Sequence, residues 1–376
     1  MVVNTAADED AGSARSWETF AAPSEAGATL TLREALWIAA NHPGPDTILF
    51  DPAVFTVEAP VTIELAALRM PINLRDFCLD ARGRGVVVRW SAASLGGVDH
   101  VWSVGPGSLM IGLDIATVPY RFTLNGGQLA GCRFRTSDPS APGDSFFSVD
   151  VIAGTLGPGN VFAGPGGISC SSTPTPTEII GNFFGVEPQT GERLPLTRGA
   201  MLWSGTSGEI SFRNNTFAAT TMGIEAPFPA AGTRLVIEQN RFTGMQKAIA
   251  AGTVNGRVGP DNIIRAGGSA VEVAPSSAMV ITRNSISGNV VGIVGGGSAP
   301  FDLFIDGGVG GQCPAPGLVE VFTDPGAEGE QFVGEVVCKQ SLAWFITASV
   351  PSGRNVTATL TRFDGGTSVF SAPVTR

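Results

Sequence analysis

The chain is poor in positive charge, histidine and tyrosine. Lysine occurs only at Lys247 and Lys339, histidine only at His42 and His100, and there is one tyrosine. Charged residues make up 15% of the 376 residues, and the formal net charge is −10. Nucleic acids and anionic membranes favour clustered lysine and arginine, so neither is an expected partner. With so little histidine and no Gly-x-Ser-x-Gly motif, a nucleophilic triad is also disfavoured.

Long hydrophobic runs are absent as well. Glycine or polar residues interrupt every apolar stretch well short of the roughly 18 residues that a membrane-spanning helix needs, so we expect no transmembrane segment. No secretory signal peptide is visible, and the chain opens on the strand-like Met1-Val2-Val3-Asn4. We nevertheless expect an extracellular or cell-surface protein whose export signal lies outside this sequence.

The five cysteines form no Cys-x-x-Cys pair and no Cys/His cluster, so no metal site is expected from them. Cys313 and Cys338 bracket a hairpin-like stretch and are predicted to form a disulfide in an oxidising compartment. Cys78, Cys132 and Cys170 are predicted to be free thiols that fill the core as small hydrophobic residues.

What the chain does have is 50 glycines and a recurring short motif. Successive anchors of the motif lie 28, 22, 33, 25, 22 and 22 residues apart. A recurrence near 22 residues is too short for a βαβ unit and is typical of stacked repeats. The seven copies are Cys132-Arg133-Phe134, Asn160-Val161-Phe162, Asn182-Phe183-Phe184, Asn215-Thr216-Phe217, Asn240-Arg241-Phe242, Asn262-Ile263-Ile264 and Asn284-Ser285-Ile286.

Two further apolar patterns recur in phase with these anchors, as in Ala248-Ile249 and Met279-Val280-Ile281. Three short strands per repeat predict a parallel β-helix, a solenoid with about 22 residues per coil. Stacked parallel strands place like residues over like. Asparagine also tolerates a left-handed backbone, so the anchors are predicted to lie at corners. The predicted ladder of stacked amides consists of Asn160, Asn182, Asn215, Asn240, Asn262 and Asn284.

Composition changes along the chain predict three domains. Residues 1–50 are an N-terminal cap with a strand and an amphipathic helix, which begins with a capping box formed by Thr31 and Glu34. Residues 51–312 are the β-helix. Residues 313–376 contain five strand-like segments separated by turn signals, and they predict a small antiparallel, sandwich-like module.

Both ends of the chain resemble a known family. Val2–Asp8, Thr29–Leu36, Asn41 and Asp46–Phe50 are similar to the N-terminal signature of the CSLREA-type bacterial secreted and surface proteins, although Leu30-Thr31 stands where that family usually has a cysteine. Leu318–Gly326, Val356–Leu360 and Thr367–Ser371 are similar to its C-terminal module. The resemblance implies a pectin lyase-like right-handed β-helix, and it brings no settled activity.

A catalytic alternative rests on three residues of the repeats. Glu225 and Glu272 occupy matching positions two repeats apart, so their backbones are predicted to lie about 9.6 Å apart. Two carboxylates at such a separation suit an inverting glycoside hydrolase. Lys247 lies between them in sequence and is the candidate base of a lyase. The other interpretation is that both glutamates are outward, solubilising charges.

Arg213, Arg241 and Arg283 flank the anchors and are predicted to form a basic, ligand-binding stripe, with solvated surface charges as the alternative. No cofactor is expected. A weak Ca²⁺ alternative is the polar run containing Asp138, Asp144 and Asp150, which lacks the spacing of known calcium loops. The six tryptophans are candidate sugar platforms only where they are exposed.

The expected function is that of an exported scaffold presenting a rigid binding or adhesion face toward polysaccharides or a cell-surface glycan, without catalysis. The alternative is a polysaccharide-degrading enzyme, a lyase or a glycoside hydrolase, acting in a groove along the repeats. The scarcity of convergent acidic, basic and histidine residues favours the scaffold. The oligomeric state is not predicted.

Overall fold

A computed structural model describes residues 1–8, 19–20, 22–26, 28–42, 44–65, 74–90, 101–116, 121–135, 149–171, 175–202, 208–218, 221–227, 232–339, 342–363 and 365–376. This described part of the chain is nearly all β, with 4% helix. No helix in these ranges is long and apolar enough to cross a bilayer. The chain divides into two compact units, Met1–Ser171 with Thr177–Leu196, and Ser172–Pro176 with Thr197–Arg376. The predicted boundaries at residues 50 and 312 stay a prediction.

The first unit contains the helix and the first fourteen strands. A short 3-10 helix, Pro23–Glu25, precedes α1. The elements are β1 Val2–Val3, α1 Leu32–Asn41, β2 Asp46–Phe50, β3 Val61–Leu65, β4 Phe77–Asp80, β5 Val86–Trp90, β6 Val101–Val104, β7 Leu109–Ile111, β8 Asp114–Ala116, β9 Arg121–Ala130, β10 Arg133–Arg135, β11 Val149–Leu156, β12 Val161–Cys170, β13 Thr177–Ile180 and β14 Phe183–Phe184.

The second unit contains the remaining strands, apart from Leu196 at the start of the first of them. They are β15 Leu196–Leu202, β16 Glu209–Arg213, β17 Thr216–Phe217, β18 Met222–Ala226, β19 Arg234–Glu238, β20 Arg241–Ala251, β21 Asn255–Val258, β22 Ile263–Val273, β23 Ala278–Ile281, β24 Ser285–Ile286, β25 Val291–Val294, β26 Phe301–Ile305, β27 Val309–Gln312, β28 Gly317–Asp324, β29 Gln331–Cys338, β30 Ala343–Ile346, β31 Asn355–Arg362 and β32 Val374–Thr375.

Helix α1 begins with the predicted capping box, which is confirmed. The Thr31 side chain accepts a hydrogen bond from the Glu34 backbone N–H, and a Glu34 carboxylate oxygen accepts one from the Thr31 N–H. Leu32, Leu36 and the rest of the apolar face are buried against β1 and β2. The buried Arg33 guanidinium is neutralised by Asp8 at 2.6 Å, so its burial leaves no uncompensated charge.

The strands β1–β14 pair in parallel, and their partners lie in register. In one series of neighbours Phe134 pairs with Ile115 and with Phe162, and Phe162 pairs with Phe184. The ring centroids of Phe134 and Phe162 are 5.1 Å apart and those of Phe162 and Phe184 are 4.7 Å apart, with nearly parallel planes. These three fully buried rings form a continuous aromatic column inside the unit.

In the second unit the same kind of parallel pairing joins β15 through β25. Phe217 pairs with Phe242, Phe242 with Ile264, and Ile264 with Ile286, which forms a second buried apolar column. Its two phenylalanine rings stack with centroids 4.9 Å apart. The anchor spacing of the sequence is thus the chain distance between residues that are neighbours in a parallel ladder.

The predicted fold class, a parallel β-helix of three separate short strands per coil, is wrong. The structure has a closed ring of six parallel strands to which other strands are added, and it does not show a solenoid. Within the second unit, β20 and β22 each span two of the predicted short strands, and they pair continuously from Arg241↔Ile263 to Ala251↔Val273. Gly244 and Gly267 take positive φ values inside these strands and do not end them.

The anchor asparagines are buried and hydrogen bonded to their neighbours. In the first unit Asn160 Nδ2 donates to Asn182 Oδ1 at 2.9 Å. In the second, the amides of Asn215, Asn240, Asn262 and Asn284 are joined in that order by Nδ2–H···Oδ1 bonds of 3.0, 3.1 and 2.8 Å. The same side chains also bond backbone groups at the turns, which water does not reach.

The left-handed backbone lies one residue before each anchor, and not at the anchor itself. The preceding residue has a φ of 47–65° in four cases, Asn214, Gln239, Asp261 and Arg283, and is a positive-φ glycine at Gly131, Gly159 and Gly181. Our assignment of that conformation to the anchors is therefore corrected. The preceding residue makes the turn, and the anchor amide after it is buried.

The last part of the second unit is antiparallel. Strands β26, β27 and β30 form one sheet, and β29, β28, β31 and β32 form another. Between them lies a core that includes Val309, Val319, Trp344 and Leu360. Cys313 and Cys338 are joined in a disulfide within this core. Cys132 and Cys170 are buried free thiols, whereas Cys78 is only half-buried.

This antiparallel part covers two of the three strands at which the parallel ladders of the second unit end. The backbones of Ile286 in β24 and Gly329 exchange hydrogen bonds of 2.8 and 3.0 Å. Thr367 bonds the backbones of Met279 and Ile281 in β23. Glu320, fully buried, accepts hydrogen bonds from the Thr282 hydroxyl and the Arg283 N–H. Open strand edges are sites of unwanted pairing, and these contacts protect two of them.

The hydrogen-bonded amides of Asn215, Asn240, Asn262 and Asn284 form a column, and this column leads to a stability prediction for Asn262→Ala. Asn262 Oδ1 accepts from the Asn240 N–H and amide, and its Nδ2 donates to the Ile237 carbonyl and to Asn284. Its removal leaves buried groups unpaired, so the free energy of unfolding should fall by about 3 kcal/mol. Urea denaturation followed by circular dichroism measures the change.

Asn255→Ala, at an exposed strand position, is the matched control and should change the free energy of unfolding by less than about 0.5 kcal/mol. Equal effects of the two substitutions would contradict a structural role of the column.

A second prediction concerns Glu320. Burial raises the pKa of Glu320 from its ordinary 4.5 to about 6, against the hydrogen bonds from Thr282 and Arg283. The folded protein therefore keeps this proton to a higher pH than the unfolded chain does. The contribution of protonated Glu320 to the free energy of unfolding is complete below pH 4.5 and is lost as the pH rises through about 6. This loss lowers the free energy of unfolding by about 2 kcal/mol.

Glu320→Gln has no proton to lose there, so its unfolding free energy relative to the native protein should rise by about 2 kcal/mol between about pH 4 and pH 7. Urea unfolding at both pH values measures this difference. Glu58→Gln, which removes an exposed carboxylate, is the control for the loss of one negative charge. If the unfolding free energies of the Glu320→Gln variant and the native protein differ by the same amount at both pH values, burial does not raise the pKa of Glu320.

Candidate functional site

The two predicted catalytic glutamates lie on the same outward row of the second unit. Glu225 of β18 pairs with Ala250 of β20, and Ala250 pairs with Glu272 of β22. They are thus two strands apart, which corresponds to about 9.6 Å between backbones. The strand register agrees with the separation expected from the sequence.

Each of these carboxylates is held by a cation of its own. Arg198 Nη1 lies 3.3 Å from Glu225 Oε2, and Lys247 Nζ lies 2.6 Å from Glu272 Oε2. Lys247 is therefore a partner of Glu272. Both pairs are partly exposed, so they contribute little to stability, but they neutralise the charge of this row.

The three predicted ligand-binding arginines do not form a free basic stripe. Arg213 Nε lies 2.6 Å from Glu238 Oε1, and Glu238 Oε2 also holds Arg257 at 2.7 Å. Arg283 donates two hydrogen bonds of 2.9 Å to Glu335. Arg241 is exposed and has no ion pair with the part of the chain that is described. Two of the three charges are thus used within the protein.

No metal centre is found in the described ranges, where no three histidine, cysteine, aspartate or glutamate residues lie together as metal ligands would. Asp150 accepts hydrogen bonds from the hydroxyls of Ser169 and Ser171. Asp138 and Asp144 lie outside the described residues. Trp102 and Trp344 are buried, Trp37 is half-buried, and Trp17, Trp203 and the side chain of Trp90 are not described.

A different surface carries the exposed aromatic side chains. We call Phe301, Phe304 and Phe345 the aromatic face; they lie on the outer side of the sheet β26–β27–β30. Their exposed fractions are 46%, 47% and 48%. Phe304 and Phe345 both pair with Gly310 of the central strand, and Phe301 pairs with Gln312 two residues on. Since alternate residues share a side of a sheet, the three rings project from one face.

The central strand of this sheet has no side chain beneath the rings. A Cβ atom at Gly310 would collide with the Phe304 ring, and one at Gly308 would collide with the Phe345 ring. Both rings therefore lie against bare backbone, with their centroids 6.4 Å apart and their planes inclined by only 22°. The opposite side of the same sheet packs Val309 and Trp344 into the core, which holds the platform in place.

The border of the aromatic face is polar and acidic. Gln312 is exposed beside Phe301, and the only charges between Phe301 and Gln312 are the exposed Asp302 and Asp306. A contiguous exposed apolar patch with a polar rim is a candidate binding surface. Its aspartates would repel an anionic ligand.

No known protein family and no curated protein matches this chain.

The aromatic face was not predicted from the sequence. Strands β26 and β27 lie before the residue at which the C-terminal module was predicted to begin. Asp302 takes a positive φ of 51°, and the register of β26 shifts between Phe301 and Phe304, which disrupts the alternation that marks a strand. The available signal was Phe-Asp-Leu-Phe-Ile followed by Val-Gly-Gly-Gln, two phenylalanines beside a strand of glycines.

Proposed function

We propose that this protein is a non-catalytic, extracellular binding module that holds polysaccharide chains on its aromatic face. The single observation that carries the proposal is the set of three half-exposed phenylalanine rings on one side of a sheet, two of them against the glycines Gly308 and Gly310. The location outside the cell is supported by the disulfide between Cys313 and Cys338, since such bonds persist in oxidising compartments.

Sugars are the ligands that match this chemistry. One side of a pyranose ring is a set of C–H groups, which are attracted to the negative face of an aromatic ring. Two rings inclined by 22° offer neighbouring platforms for a chain of sugars. Gln312 and Asp302 at the border can bond hydroxyl groups. The acidic border favours neutral polysaccharides over uronates and other polyanions.

The pairing of the outward charges supports a binding role over catalysis. A general acid and a general base must be free to exchange protons with the substrate. Glu225 and Glu272 are each held by a cation, and Lys247 is one of those cations. The polysaccharide-degrading alternative still has the separation of the two carboxylates in its favour.

Truncation of the platform tests the proposal. Phe304→Ala and Phe345→Ala should each weaken binding to a neutral polysaccharide such as xylan or glucomannan by about tenfold, because each loses one stacking surface worth about 1.4 kcal/mol. Affinity gel electrophoresis and calorimetry measure the change. Phe363→Ala, which removes a 70% exposed ring elsewhere in the same unit, is the matched control and should bind as the native protein does.

Native protein that binds no member of a panel of neutral polysaccharides, or that binds one equally well after both truncations, would refute the proposed site. The same panel is assayed for new reducing ends and for unsaturated products. Cleavage of a polysaccharide by the native protein that is abolished in Glu225→Gln or Glu272→Gln would show that the protein is an enzyme and not a binding module.

A further inference from the structure

The parallel ladders of the second unit end in three strands that are covered unequally. Gly329 bonds β24, and Thr367 bonds β23. Strand β25 pairs with β22 on one side, at Ser269↔Val291 and Val271↔Ile293, and with no other strand of the described chain. The outer edge of β25 is therefore open.

A groove of about 620 Å³ runs along this edge. One wall is Val290–Ile293, which includes most of β25, and the other is the turn Asp324–Glu328 that joins β28 to β29. Phe370 also lines the groove, and its ring lies against Gly292. Val290 is 82% exposed and Val291 41% exposed, so the groove has an apolar rim.

Two carboxyl groups lie in the wall opposite the strand. Asp324 is 1% exposed; its Oδ2 accepts a hydrogen bond from the Glu328 N–H at 2.7 Å, and its Oδ1 is buried. Glu328 Oε2 accepts from the Asn289 N–H at 3.0 Å. Among the described residues, neither Asp324 Oδ1 nor Glu328 Oε1 has a hydrogen-bond partner. Burial is the main cause that raises the pKa of both groups. A buried acceptor without a donor is costly, so this wall has unused capacity for a cation or a donor.

We propose that the open edge of β25 binds an extended peptide segment with a basic side chain, which adds to the ladder as one further strand. The backbone of the segment would bond the free edge, as in other cases of strand addition. Its lysine or arginine would reach Asp324 and Glu328, and its apolar side chains would pack on Val290 and Val291. The four residues of β25 are about 13 Å long, which matches a segment of four or five residues.

The acidic lining of the groove favours a peptide with a basic side chain. The two carboxyl groups face the edge, and the protein as a whole has a formal charge of −10. A neutral sugar would leave the unpartnered oxygens without a cation, and an acidic peptide would be repelled. The inference is independent of the proposed glycan binding, because the aromatic face and this groove share no residue.

The probe is the capped, fluorescently labelled peptide Thr-Val-Lys-Val-Thr, titrated against the full chain and followed by fluorescence anisotropy. Saturable binding is expected. Replacement of both peptide valines by proline removes two backbone donors, and replacement of the lysine by glutamate reverses the charge. Each should weaken binding at least about tenfold.

On the protein side, Val290→Lys places a like charge at the rim without altering a packed residue, and Asp324→Asn removes a carboxylate. Each should weaken binding of the lysine peptide by about tenfold. Val57→Lys, at a 57% exposed valine of the first unit, is the matched control and should bind as the native protein does. Circular dichroism checks that Asp324→Asn folds, and Val290→Lys decides the test if it does not.

Absence of saturable binding by the native protein, or equal binding of the proline peptide, would overturn the proposal. Sedimentation of the native protein without peptide gives the other decisive result. A dimer that Val290→Lys dissociates would show that a second copy occupies the edge, and it would likewise overturn the peptide proposal.

Discussion

The hydrogen bonds of the buried asparagine amides between neighbouring strands are the constraint on which the rest of the structure depends. Each repeat turns at a residue with positive φ, and the backbone groups that the anchor amides bond are buried. An amide side chain supplies both a donor and two acceptor lone pairs, so it can satisfy a turn and also bind the next amide. Asn262 does both.

This arrangement determines the register of the strands that follow. The residue two positions after each anchor is then forced inward, next to its counterpart in the neighbouring strand. The outcome is the column Phe134, Phe162 and Phe184 in one unit and Phe217, Phe242 and Ile264 in the other. A one-residue slip would place these side chains in water and the polar residues in the core, so the register is strongly specified.

A stack of parallel strands must end somewhere, and its last edges determine where other molecules can bind. In the second unit the antiparallel sheets cover β23 and β24 through Thr367 and Gly329 and leave β25 beside a groove. The sheet that carries Phe304 and Phe345 belongs to the same antiparallel part. Its inner side is anchored by Trp344 and Val309, and its outer side exposes the three phenylalanine rings. Both proposed binding surfaces therefore lie in the segment that terminates the ladders.

Particular residues show how far the sequence could be interpreted. The capping box of Thr31 and Glu34 is a local pattern, and it was predicted correctly because its hydrogen bonds span only three residues. The fold class was predicted wrongly. The spacing of the anchors gives the chain distance between residues that pair in a ladder, but it does not show how successive ladders are joined. Strands β20 and β22 each continue through a positive-φ glycine and so unite two of the predicted short strands. The site residues Glu225 and Glu272 were placed in the correct register, but their cations, Arg198 and Lys247, depend on side-chain contacts between strands.

The sequence by itself determined the period of the repeats, the inward and outward alternation around each anchor, and the low positive charge that argues against nucleic acid as a partner. These properties follow from residue type and chain distance alone. Only the tertiary structure decided that the strands close into a ring, that Phe301, Phe304 and Phe345 share one exposed face, and that β25 keeps an open edge. The physical reason is that closure, exposure and coverage are relations between segments far apart in the chain. They are determined by packing and hydrogen bonding after those segments have met.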